Sequence, residues 1–167
     1  MEECLVEFNK EGAMERLIKE EKEVELKRFN EVDLARMARF LMKRAEESVA
    51  PLTVRITKND QILFHYVANN CAADKDNWVR RKTNSVLNFG HSTLWLYYKT
   101  DMNTEQLVEK YGLSKDDYTI SAGAVPIMVR GVGMVGVLAA SGYSGLRDDH
   151  DLCIQALNYV KGEMNNE

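Results

Sequence analysis

The sequence is poor in cysteine and proline, and no part of it stays apolar for long. Its three cysteines, Cys4, Cys71 and Cys153, are widely separated and show no CxxC spacing. This excludes a disulfide framework and a paired-cysteine zinc site, and it predicts free thiols in a reducing compartment. No apolar stretch approaches the roughly 18 residues of a membrane-spanning helix. The opening MEECLVEFNK is acidic, so neither a signal peptide nor a membrane anchor is expected there. A cationic excess is missing as well. The net charge is -4, whereas a general nucleic-acid binder carries a basic footprint. These absences predict a cytoplasmic protein with neither a nucleic-acid nor a membrane partner. Phosphate-loop, HExxH and GxSxG signatures are also missing. The glycines of GVGMVG (Gly131 to Gly136) lie in an apolar hairpin strand without a βαβ unit around them, which excludes a dinucleotide fingerprint.

What is present suits one globular domain. The 167 residues are expected to form a single unit over 1–167, with a core spanning about 17–160. Residues 1–22 predict a helix anchored by Leu5, Phe8, Leu17 and Ile18 and loosened near Gly12. EVELKRF, from Glu23 to Phe29, alternates enough to predict a short strand. Asn30 is placed to cap a helix from Glu31 to Val49, whose Leu34, Ala35, Ala38, Leu41, Met42, Ala45 and Val49 form an apolar stripe. Pro51 ends it. The alternating runs Leu52 to Thr57 and Gln61 to Val67 flank Lys58-Asn59-Asp60, which predicts a hairpin. His65 lies among apolar neighbours on its strand face and reads as a core or interface histidine.

The most distinctive stretch is DNWVRRKTNSVLNFGHS, from Asp76 to Ser92. Asp74 or Asp76 can cap a helix here. Trp78, Lys82, Ser85 and Phe89 fall on one stripe, beside Val79 and Val86. Gly90 stands where a helix takes a left-handed terminal residue. The apolar run Thr93 to Lys99 suits a strand or a helix, and Ser92, placed to cap it, favours a second helix; a third is expected from Thr104 to Tyr111. Two apolar runs, Ala124 to Val129 and Val132 to Ala140, flank Arg130-Gly131 and predict a second hairpin. Pro126 marks a strand start or an outward position, and Gly133 and Gly136 mark a bulge or a place where another backbone or a flat ligand comes close. A last helix runs from Asp148 to about Met164, capped by Asp148 or Asp149. Hairpins imply antiparallel pairing, so the expected fold is α+β, one antiparallel sheet with helices packed on it.

Three groups of residues carry possible chemistry. His91 follows a helix C-terminus and reads as a metal or haem ligand, a general base, or only a cap. Arg80, Arg81 and Lys82 fan to different faces; they can pair with propionates or phosphates, or form a solvated face with one inward lysine stem. Asp148, Asp149 and His150 open the last helix, where two carboxylates beside a histidine suit either a metal or simple capping. No metal is assigned.

The order of these motifs resembles the haem-degrading, HbpS/GlcG-like superfamily, and an uncharacterised subfamily within it. The resemblance rests on WVRRK at Trp78 to Lys82, FGHS at Phe89 to Ser92, and the AVPI…VRGVGMVG…SG run from Ala124 to Gly142. DDH at Asp148 to His150 and FHY at Phe64 to Tyr66 add to it, and it spans about Leu17 to Val160. It implies a profilin-like sandwich, a homo-oligomer and a small ligand. Haem is the ligand it suggests, with haem degradation as an activity of relatives. On that basis His91 is the first candidate iron ligand, with Arg81 and Lys82 as propionate partners. Ser92 and Trp95 stand beside it, and Trp95 to Tyr98 line the slot. Asp149 and His150 form a second candidate cluster. A different reading, without catalysis, is an oligomeric interaction or scaffold protein.

Overall fold

The computed structural model describes residues 9–167. Asn9 opens α1 (Lys10–Glu23), its side chain accepting from the Gly12 amide. Gly12 therefore sits in a capped first turn and does not loosen the helix. Leu17 is buried, but Ile18 faces solvent; Leu5 and Phe8 lie outside the described residues. The strand expected at 23–29 shrinks to one parallel bridge between Leu26 and Val129, in which the Leu26 amide donates to the Met128 carbonyl at 2.9 Å. Val24, Leu26 and Phe29 are all buried. Packing of these three side chains, rather than a ladder, fixes the segment.

Asn30 caps α2 (Glu31–Glu47) through a full capping box with Asp33. The helix stops two residues before the expected end, and Val49 is 97% exposed. The buried stripe instead includes Met37, together with Ala38, Leu41 and Ala45. β1 (Leu52–Lys58) and β2 (Gln61–Ala68) form the first hairpin. Asn59 and Asp60 turn it with positive φ at both positions, which matches the twist of the strands.

β3 (Ala124–Val129) and β4 (Gly133–Ser141) form the second hairpin, and all ladders are antiparallel in the order β2-β1-β4-β3. β4 lies beside β1 because Gly136 removes a side chain there. A Cβ at Gly136 would stand 2.2 Å from the Thr57 carbonyl oxygen. Pro126 sits on edge strand β3, where no outer neighbour needs its missing N–H.

Helices cover both faces of the sheet. On one, α2 and α6 (Asp148–Asn165) bury Leu52, Val54, Ile56, Ile127 and Leu138 in the main core. On the other, α3 (Asp74–Phe89) lays Val79 and Val86 on Ala124, Val137 and Ala139. Neither Asp74 nor Asp76 caps α3; Ala73 stands at the cap without a side-chain bond. Gly90 ends the helix at φ 72°, its N–H donating to the Val86 carbonyl at 2.8 Å. Ser92 then caps α4 (Thr93–Lys99) through the Trp95 amide, and α5 (Glu105–Glu109) is shorter than expected at both ends. The fold is α+β, with one antiparallel sheet between helical layers.

Candidate functional site

Lys82 lies on the sheet-facing stripe of α3, and that stripe drives a charge into the interior. Its side chain is 3% exposed, and that of Asp149 on α6 is 10% exposed. The Lys82 Nζ donates to the Ala140 carbonyl at 2.8 Å and to Asp149 Oδ2 at 3.2 Å. Asp149 also accepts from the Tyr143 amide at 2.9 Å and the Gly142 amide at 3.4 Å. Asp149 thus braces the loop after β4 and is not a helix cap; Arg147 occupies the α6 cap position without a side-chain bond. Gly123 completes this corner with φ +131°, and a Cβ there would fall 2.6 Å from the Lys82 Nζ. Burial pushes the Lys82 pKa down, with the Asp149 charge opposing that shift. Cys153 lies alongside, donating to the Gly123 carbonyl at 3.5 Å. Burial first, and then the Asp149 charge, push its thiol far up, so it is not a thiolate nucleophile.

The pair forms the floor of a cavity of about 490 Å3, within the usual range for small-molecule sites. Lys75, Trp78 and Arg81 line it from α3, Tyr97 from α4, and Tyr143 and Leu146 from the loop before α6. The Arg81 guanidinium stacks over Trp78 at 4.6 Å, and its Nη2 donates to the Tyr118 carbonyl at 3.3 Å. Its Nε is buried with no hydrogen-bond partner among the described residues. An unpaired buried N–H of a cation is costly, and an anionic acceptor relieves it. Arg80 points away, pairing with Asp117 at 2.9 Å. A second cleft, of about 500 Å3, lies between α2 and α6. Its Arg44 is already bonded to Gln155 at 2.6 Å, and it holds no comparable buried pair.

The structure separates residues that the sequence grouped. His91, Ser92 and Trp95 do not line the α3 cavity; of the aromatic run only Tyr97 does. Lys82 is held by Ala140 and Asp149 and does not stand at a rim to meet a propionate. His91 instead joins α1: its Nδ1 lies 2.8 Å from Glu21 Oε2, and the Ser92 amide donates to Glu21 Oε1 at 2.7 Å. The ring packs 4.4 Å from Trp95, and Nε2 has no partner among the described residues. A carboxylate on one ring nitrogen with the other left free is a common arrangement of a metal-ligating histidine.

Asp149 and His150 likewise diverge. His150 is fully buried and faces Glu20 of α1, with Nε2 2.9 Å from Oε2. Arg147 bridges Glu20 at 3.2 Å and Asp151 at 3.1 Å. Burial raises the Glu20 pKa, but the His150 and Arg147 contacts outweigh that and leave it lowered. Ligand atoms of Glu20, His150 and Asp151 stand within 4.8 Å of one another. Arg147 already bonds both carboxylates and so competes with any cation for their oxygens. His65, expected in the core or an interface, bridges Arg55 at 3.2 Å and Asp76 at 3.1 Å on a half-open face. Sequence reasoning missed Glu20, Glu21 and Gly123. The legible signals were slight: acids on the inner side of α1, and a glycine directly before an apolar strand.

Comparison with known proteins agrees with this architecture. A family model described as haem degrading protein HbpS-like matches residues 29–158. A UPF0303 protein from Psychromonas ingrahamii is 30% identical over 150 residues, covering 90% of this chain and 94% of its own. The crystal structure of Ybr137w protein superposes with a TM-score of 0.83 at 26% identity, covering 92% of each chain. That of a PduOC:haem complex superposes at 0.62 with 16% identity, covering 78% of this chain and 94% of that one, and shares the fold.

Proposed function

The chain belongs to the HbpS-like family of haem-degrading proteins, and from that premise we propose that it binds an anionic small molecule of the haem type in the α3 cavity. The observation that carries this reading is Arg81. Its guanidinium is pre-stacked on Trp78, the residue lines the cavity, and its buried Nε has no partner among the described residues. Lys75 adds a second cation on the same wall, and Trp78, Ile120 and Leu146 supply apolar surface for a flat ligand.

The donor set fits haem unevenly. The propionates have Arg81 and Lys75, and the macrocycle has aromatic and aliphatic walls. For the iron, this cavity offers the phenols of Tyr97 and Tyr143, a ligand type that haem proteins use. His91, backed by Glu21, is the alternative iron donor and lies outside the cavity. A solved protein of the same fold holds haem, which supports a haem-sized ligand on this scaffold. Bound haem would supply redox chemistry at iron. The chain's own part is to hold the carboxylates, cover the ring and exclude water.

Hemin titration tests this. A saturable Soret shift is expected, weakened in Arg81→Ala. Loss of the shift in His91→Ala alone moves the iron to the His91 position. No saturable shift in the wild type refutes haem as the ligand.

A second reading is favoured by β2. Among the described residues it is an edge strand paired only with β1, and it exposes Ile62 and Val67. Such an edge pairs readily with another copy of the same chain, giving a homo-oligomer.

A further inference from the structure

Holding an anion does not require Lys82. Arg81 and Lys75 already line the cavity, yet a third cation is buried at its floor, and burying a lysine is costly unless it is paired. Asp149 and the Ala140 carbonyl satisfy two of its three protons. Gly123 lets the backbone come close to the nitrogen, since a Cβ there would stand 2.6 Å from it.

We propose that Lys82 is a nucleophilic amine that forms an imine with a small 2-oxo acid in this cavity, with Asp149 carrying the protons. The Lys82 ammonium first passes a proton to the Asp149 carboxylate, 3.2 Å away. The freed lone pair then forms the C–N bond while the carbonyl π bond breaks, and the oxygen takes the proton back from Asp149. A second nitrogen proton moves to Asp149, which delivers it to the departing hydroxyl. Water leaves, and the product is a protonated imine beside the Asp149 carboxylate. One carbonyl and one ammonium give one iminium and one water, so charge and atoms balance without an oxidant or reductant.

Three features select this substrate class. A lysine desolvated in a cavity becomes a ready nucleophile, because burial disfavours its charged form. Arg81 lines the cavity and offers a cation for the acid's carboxylate. The Ser121 and Ser141 hydroxyls on the same lining can bond the polar remainder. The inference rests on the cavity being a ligand site, and it does not need haem to be that ligand.

The full chain is incubated with pyruvate and sodium cyanoborohydride, digested, and its lysines mapped by mass spectrometry. Reductive modification should saturate with pyruvate and run clearly faster at Lys82 than at exposed Lys19, since burial disfavours the ammonium form of Lys82. Asp149→Asn keeps an acceptor for the loop amides and should slow trapping at Lys82. Lys82→Arg should remove the saturable component; should that variant fail to fold, the wild-type map alone decides. An unmodified Lys82, or one labelled no faster than Lys19, overturns the proposal. Trapping at Lys82 without a hemin response removes haem alone. A hemin response without trapping removes the imine alone.

Discussion

Cutting Asp149 back to alanine tests the ionic floor of the cavity directly. The change strands the Lys82 ammonium, whose side chain is 3% exposed, and frees the Gly142 and Tyr143 amides. Breaking a buried pair from one side usually costs about 3–5 kcal/mol. A ceiling on the charge part follows from an escape route. The stranded lysine can lose its proton, and at pH 7.5 neutralising a lysine of ordinary pKa ~10.4 costs about 4 kcal/mol. At pH 9.5 the same escape costs only about 1.2 kcal/mol. The Asp149→Ala penalty, read by urea unfolding, should therefore shrink by up to about 2.7 kcal/mol between those pH values. The sign follows from linkage. The mutant's folded state releases a proton that its unfolded state keeps, so its stability rises with pH relative to the wild type. Because burial already lowers the wild-type Lys82 pKa, the observed change should fall somewhat short of the ceiling. Adding Lys82→Met should recover most of the loss, because an apolar side chain replaces the unpaired charge. A penalty under about 1 kcal/mol at pH 7.5, or one that does not change with pH, would refute the buried ionic pair.

Two further outcomes are expected. Gly90 holds φ 72° with open space around its missing Cβ, so backbone strain alone sets its tolerance; Gly90→Val should cost about 1–3 kcal/mol in chemical unfolding and Gly90→Asn clearly less, and equal losses would contradict a left-handed cap. Light scattering at low micromolar concentration should show an oligomer that Val67→Lys on the β2 edge strand weakens; a wild-type monomer, or an oligomer indifferent to that change, would remove the β2 surface from consideration.

The sequence by itself determined what depends on neighbours a few residues away. Asn30 and Ser92 cap their helices because a short side chain reaches amides two or three positions on. Gly90 ends α3 because only local sterics decide who can adopt positive φ. Strand alternation around two turn signals marked both hairpins, and hence the antiparallel sheet. Even Lys82 was legible as an inward stem, since it shares a helical stripe with buried Ser85. Tertiary structure decided which distant groups meet. Asp148 and Asp149 looked like caps because acids favour helix starts, but Asp149 has a stronger claim on it from Lys82 and two loop amides. His91 belongs with Glu21, 70 positions away, and His150 with Glu20, 130 away, so neither partnership leaves a local trace. The turns of α3 after Lys82 also carry its C-terminal end about 10 Å along the helix axis, and His91 lies beyond that end, which divides one expected site into two. Periodicity shows that a side chain faces inward. Only the packing of α1, α3 and α6 around the sheet determines what it finds there.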